Sequence, residues 1–178
     1  MIAEVGHFAL VLAAGVALFQ FIVPLYGAER GDRSLMLASV PAALVQLLLI
    51  ALSFAILTHA YLVSDFSVAN VAENSHSAKP LLYKISGVWG NHEGSMLLWV
   101  LILALFGAAV AAFGGNLPLE LKSRVLAVQG SVGAAFLPSD AGILRLGVAI
   151  VLLVLYGLYV KAHFAAESEG GGVICPPS

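Results

Sequence analysis

The chain has 178 residues, is 61% hydrophobic, has only 10% charged residues and carries a net charge of −2. Soluble domains carry about a quarter charged residues. This composition, with a mean hydropathy of +1.00, therefore excludes an ordinary soluble domain, and the absence of a basic surplus excludes a nucleic-acid binder. One cysteine, Cys175, excludes an intramolecular disulfide framework and a Cys-x-x-Cys site.

The expected fold is all-α, a polytopic transmembrane helix bundle with four to five spans and an extramembrane loop over residues 64–93. The N-terminus lacks a basic segment and a small-residue cleavage site, so the first apolar run reads as a retained helix. That run, residues 7–26, is long enough for a hydrocarbon core that needs about 20 residues, with Pro24 in its last turn. A charged turn with Arg30 and Arg33 follows. The second span covers residues 35–63, long enough to tilt, with Pro41 in its first turns.

Residues 64–93 are polar and too numerous for a bare turn. They predict a structured loop with a short helix at residues 68–73. The third span covers residues 94–113 and ends at Gly114 and Gly115. Pro118 could start an interfacial helix. Residues 125–137 are apolar but short for a crossing, so they read as a broken or re-entrant segment. Residues 142–160 form another possible span, in which Arg145 could snorkel. The membrane-embedded domain is thus placed at residues 1–163, and residues 164–178 read as a disordered tail. Arg30 and Arg33, with Lys122 and Arg124, crowd two short loops on one side. The positive-inside rule puts those loops in the cytoplasm and residues 64–93 outside.

Chemistry concentrates in one block, from Gly87 through Trp89, His92 and Glu93 to Trp99, at the mouth of the third span. A histidine can ligate haem iron or shuttle a proton near neutral pH, and two tryptophans offer flat faces to a porphyrin-like ring. The same residues also suit an interfacial aromatic belt with a hydrogen-bonded histidine, and the residue types leave both readings open. His7, His59 and His76 read as interfacial or surface residues, and His163 as solvated. Glu4, Asp65 and Glu73 read as solvated charges. The glycines near the block follow no strand, which argues against a phosphate loop. No metal-ligand spacing or nucleophile triad stands out. Arg145 is the only hint of a transporter or channel, and the spans show no pair of broken helices in matching positions.

The run Trp89, Gly90, Asn91, His92, Glu93, Gly94, Ser95 closely resembles the CcmF family of cytochrome c maturation proteins and its NrfE-like relatives. So do the segment from Asp65 to Ser77, the run Pro80 to Gly87, the start at Glu4 to Leu10, and Pro118 to Leu121 with Arg124 to Ala127. The resemblance covers residues 1–136. It implies a multi-span protein of the bacterial inner membrane that handles haem. Such a protein takes haem from a periplasmic haem chaperone and works with a CcmH-type thiol protein. Together they help attach haem through thioether bonds to the Cys-x-x-Cys-His motif of apocytochrome c.

On this resemblance Trp89, His92, Glu93 and Trp99 are the candidate haem-facing residues, with no metal site of their own and no catalytic residue assigned. Family members are several times longer. Their tryptophan-rich haem motif and later histidine ligands have no counterpart in this chain, so it reads as an N-terminal portion. The alternative reading is a non-catalytic membrane assembly module that binds maturation partners without haem.

Overall fold

In a computed structural model of the chain, the structure describes residues 2–136. The expected span at residues 142–160 and the tail at residues 164–178 lie outside the described residues, as do Arg145, His163 and Cys175. Every regular element among the described residues is helical.

Helix α1 covers Ile2–Arg30, longer at both ends than its apolar run. Arg30 sits in its last turn, where a cation complements the helix dipole, and its guanidinium lies 4.5 Å from the centre of the Tyr26 ring. The helix then stops abruptly. Gly31 adopts φ of 68°, and the Asp32 amide donates back to the Gly27 carbonyl at 2.9 Å, closing a left-handed C-terminal cap. Asp32 at once caps the next helix, accepting from the Ser34 amide at 2.9 Å. A Cβ on Gly27 would lie 2.6 Å from the Leu35 Cβ, so glycine there is what lets the two helices turn this tightly.

The second span is interrupted. Helix α2 covers Arg33–Leu37 and helix α3 covers Ser39–Val63, with the break at Ala38. Pro41 accounts for it. Proline has no N–H for the Leu37 carbonyl, and its ring crowds that same group. Ser39 Oγ instead donates to the Met36 carbonyl at 2.7 Å. At its far end α3 closes on Ser64 in a left-handed conformation, φ 57°, with Asp65 N–H donating to the Ala60 carbonyl at 2.9 Å.

The loop between α3 and the third span holds two short helices, α4 (Ala69–Asn74) and α5 (Leu81–Gly87). The first lies one residue from its expected place. The second was not anticipated, although Pro80 directly before a run of helix formers is a usable start signal. Helix α6 covers His92–Phe113 and α7 covers Leu119–Phe136. The interfacial segment expected after Pro118 and the apolar run expected from residue 125 join in this last helix, which is continuous to Phe136. Among the described residues, three segments are long and apolar enough to cross a membrane: Ile2–Arg30, Arg33–Val63 and His92–Asn116.

Helix α1 packs against α3 and α7, and α6 packs against the same two, giving a four-helix arrangement. The faces are inverted relative to a soluble bundle. The buried stripe of α1 is Gly6, Ala9, Ala13, Ala17, Gln20, Pro24 and Gly27, and α3 buries Ser39, Gln46 and Ser53 two turns apart. The large apolar residues Phe8, Val11, Phe19, Ile22, Leu48 and Phe106 point outward. Without a hydrophobic force between helices in lipid, close approach of small residues and internal hydrogen bonds hold such a bundle. One core cluster joins Ala13, Ile50, Val100 and Ala104; a second joins Ala43, Ala111 and Leu126.

Candidate functional site

The anomalous block lies where the loop that holds α4 and α5 meets α6. Asn91 has extended backbone, φ −114° and ψ 167°, and its Oδ1 accepts from the Gly94 amide at 2.7 Å. It is therefore the N-cap of α6. Its amide group also donates to Tyr61 Oη at 2.9 Å and to the Gly87 carbonyl at 3.1 Å. Tyr61 Oη donates to Asn70 Oδ1 at 2.7 Å, and Asn70 Nδ2 donates to Asn91 Oδ1 at 3.1 Å. The three side chains form a closed ring of hydrogen bonds joining the end of α3, the helix α4 and the start of α6. Chains of this kind strengthen one another in a low-dielectric setting.

Two further contacts lock the ring. Asn70 Nδ2 also donates to Glu93 Oε2 at 2.7 Å. Ser95 Oγ lies 2.6 Å from the Trp89 carbonyl and 2.7 Å from that of Asn91, and its single proton serves one at a time. Beneath the ring, Ala60, Tyr61, Val71 and Val88 form an apolar cluster, with Phe54, Leu57 and Val68 packed on it. Gly94 is sterically obligatory: a Cβ there would lie 1.7 Å from the Val88 carbonyl oxygen.

The four residues singled out in the sequence separate into different roles. Glu93 is held by Asn70 and belongs to the lock. His92 is exposed at the first position of α6 and makes no hydrogen bond among the described residues. Trp89 is 42% exposed in the turn before it, and Trp99 is 66% exposed. His92 and Trp99 are seven residues apart, two helical turns, and so share one face of α6. Phe106 and Phe113 continue that stripe at the same spacing, 68% and 85% exposed.

His59 and His76 are both exposed, and among the described residues no group of three metal-ligating side chains gathers. The sequence reading missed Tyr61, Asn70, Asn91 and Gly94. The position of Asn91 directly before an apolar run was an available N-cap signal; the long-range partners carried none.

Trp89, His92 and Trp99 are exposed side chains. An open pocket of about 350 Å³ lies elsewhere, lined by Ile2, Ala3, Ile56, His59, Ala60, Val63 and Asp65. At its rim, hydrogen bonds from the Ser67 hydroxyl and amide hold the Asp65 carboxyl below the usual carboxylate range.

No family model matches the chain. It is 64% identical over 137 residues to the cytochrome c-type biogenesis protein ccl1 of Rhodobacter capsulatus, covering 77% of this chain and 21% of the relative. It is 65% identical over 136 residues to CycK of Bradyrhizobium diazoefficiens, covering 76% of this chain and 21% of the relative. With CcmF of Escherichia coli it shares 42% identity over 137 residues, 77% of this chain and 21% of the relative. A solved structure titled cytochrome c heme lyase CcmF superposes with a TM-score of 0.73 at 28% identity, covering 80% of this chain and 24% of that one. The chain spans about a fifth of the length of the curated relatives it matches, 21% in each of these three.

Proposed function

We propose, from the premise that this chain belongs to the CcmF family of cytochrome c-type biogenesis proteins, that it acts in cytochrome c maturation as a membrane component of the haem lyase. The observation that carries this reading is the locked cap. Asn91, Asn70 and Tyr61 rigidly fix the start of α6, leaving the His92 imidazole and the Trp89 ring exposed beside it. A rigid mount under an exposed ligand and an aromatic surface suits the presentation of a flat, iron-bearing ring to a second protein.

The side chains divide the work. His92 offers a nitrogen to iron. Trp89 contributes apolar contact to the ring beside it, and Trp99 extends that surface along α6. Glu93 accepts from Asn70 Nδ2 and so belongs to the mount rather than to the haem-facing surface. Bound haem would supply the vinyl groups that become thioether links. Arg30 and Arg33 share one end of the bundle with Lys122 and Arg124, and the cap lies at the other end. With the positive-inside rule, this supports an inner-membrane chain with residues 64–93 in the periplasm. A haem chaperone, a CcmH-type thiol protein and apocytochrome c would meet it there.

The test is an absorption spectrum of the purified chain in detergent with added haem. A Soret band that disappears in His92→Ala and weakens in Trp89→Ala is the expected result. A band unchanged by His92→Ala would remove His92 from the haem site.

A second reading has its own support. The stripe Trp99, Phe106 and Phe113 is exposed along α6, which suits an assembly module that docks maturation partners without holding haem. Recovery of those partners by a chain that gives no Soret band would favour it.

A further inference from the structure

Helix α5 exposes its whole first turn. Among the described residues, Leu81, Leu82 and Tyr83 are 64%, 74% and 63% exposed. Successive helical residues are set about 100° apart, so three in a row fan over more than half of the helix circumference. No single face of α5 can turn all three towards the bundle. The haem reading uses none of them.

The place of α5 is fixed by its second half. Lys84 Nζ donates to Ser64 Oγ at 2.6 Å, and Ser64 is the residue that closes α3. A Cβ on Gly87 would lie 3.3 Å from the Tyr61 ring, and Val88 is buried in one apolar cluster with Tyr61. The helix is thus pinned level with the last turn of α3.

That level still belongs to the lipid-facing surface of the bundle. Val63 in the last turn of α3 is exposed, and so is Ile2 at the start of α1. The two residues line one open pocket, so these helix ends lie side by side. Phe66, just beyond α3, is exposed as well. The large outward side chains of the spans therefore continue to the height at which α5 is held. Lys79 precedes the apolar turn and Lys84 follows it. Lysine set beside leucine suits a helix lying at the boundary between headgroups and acyl chains, and tyrosine is enriched at that depth.

A soluble partner is the weaker fit. A helix that docks in a protein groove presents anchors at i, i+3, i+4 and i+7, over about two turns. Helix α5 has seven residues, and its exposed apolar side chains are consecutive. A fluid apolar layer has no register to match and accepts such a fan.

We propose that the first turn of α5 inserts into the headgroup–acyl boundary of the membrane that holds the bundle, as an anchor beside the cap of α6. Asn91 Nδ2 donates to the Gly87 carbonyl at 3.1 Å, joining the end of α5 to that cap. The insertion thereby holds Trp89 and His92 at headgroup height, and it needs no haem.

The test is spin labelling of the full chain in phosphatidylcholine nanodiscs. A nitroxide is attached to Leu82→Cys in a Cys175→Ser background, and its collisions with oxygen and with a water-soluble nickel chelate are compared. Leu48→Cys, on the lipid-facing side of α3, sets the ratio for acyl chains, and a free nitroxide in buffer sets the ratio for water. An oxygen-to-nickel ratio at Leu82 several-fold above the water value is the expected result. A ratio equal to the water value would overturn the proposal. So would a label shielded from both reagents, which would mean that protein covers the turn. Should Leu82→Cys not fold, Tyr83→Cys in the same background carries the same expectation.

Discussion

The cap of α6 and the membrane interior use the same chemistry to different ends. Both are built from neutral amides joined across three helices. In the cap, Tyr61, Asn70 and Asn91 close a ring, and Glu93 takes the remaining donor. In the interior, Gln20, Gln129 and Gln46 form an open line whose end atoms, Gln46 Nε2 and Gln20 Oε1, have no partner among the described residues. A ring needs nothing from outside and can serve as a rigid mount. The contrast separates the two polar networks by whether their donors and acceptors balance.

The largest effect should come from Gly94→Ala. Its Cβ would meet backbone rather than a movable side chain, and forced overpacking costs typically about 1–3 kcal/mol or more. Thermal unfolding in detergent should show a lower midpoint, with residues 64–91 becoming sensitive to protease. A midpoint unchanged from wild type would mean that the ring does not need its observed geometry. Next comes Asn91→Ala, which removes a helix cap and breaks the ring. Loss of about 2 kcal/mol is expected, with faster hydrogen exchange at the amides of Gly94 and Ser95.

Gln129→Leu attacks the interior line and leaves the cap intact. It strands one donor of Gln20 and the acceptor of Gln46, so a loss of about 1–2 kcal/mol is expected, with protease resistance of residues 64–91 retained. If that variant instead loosens residues 64–91, the two networks are coupled and the comparison fails. His92→Ala should change stability by less than about 0.5 kcal/mol, because the ring does not include it. A large destabilisation would contradict its assignment as a free presenting group.

The smallest effect concerns Asp65. Its folded carboxyl is held below the usual range by Ser67. Its contribution is therefore present above the ordinary carboxylate pKa and is lost as pH falls through the lowered value. Titration followed at the Ser67 amide should report that depressed midpoint in wild type, and Ser67→Ala should raise it.

The bundle itself was legible in the sequence because lipid demands long apolar runs, and those of α1, α3 and α6 are unmistakable. Where local chemistry cut across a run, the reading slipped. Pro41 lies in the first turns of the second apolar run, and there it divides α2 from α3 at Ala38. In sequence, α7 reads as an interfacial start and a separate short apolar run, because its buried face mixes Leu126 and Ala127 with polar side chains. Ser123, Gln129 and Ser131 dilute the hydropathy that a linear reading depends on. Helix α5 hid behind a loop-like composition despite Pro80.

The candidate site was visible only as a cluster of unusual residue types. Its working partition, with Glu93 in the lock and His92 outside it, depends on Tyr61 and Asn70, which lie 30 and 21 residues from Asn91 in sequence. No local pattern encodes contacts at that separation.

The inverted faces of the bundle carry a consequence for how this molecule exists at all. With alanine, glycine and glutamine inside and phenylalanine and leucine outside, the bilayer completes the tertiary structure by supplying the outermost packing layer. Exchange of the surrounding lipid is therefore a substitution in the protein's own packing. Acyl chains of different length or branching should shift its unfolding midpoint as point mutations do, although not one residue has changed.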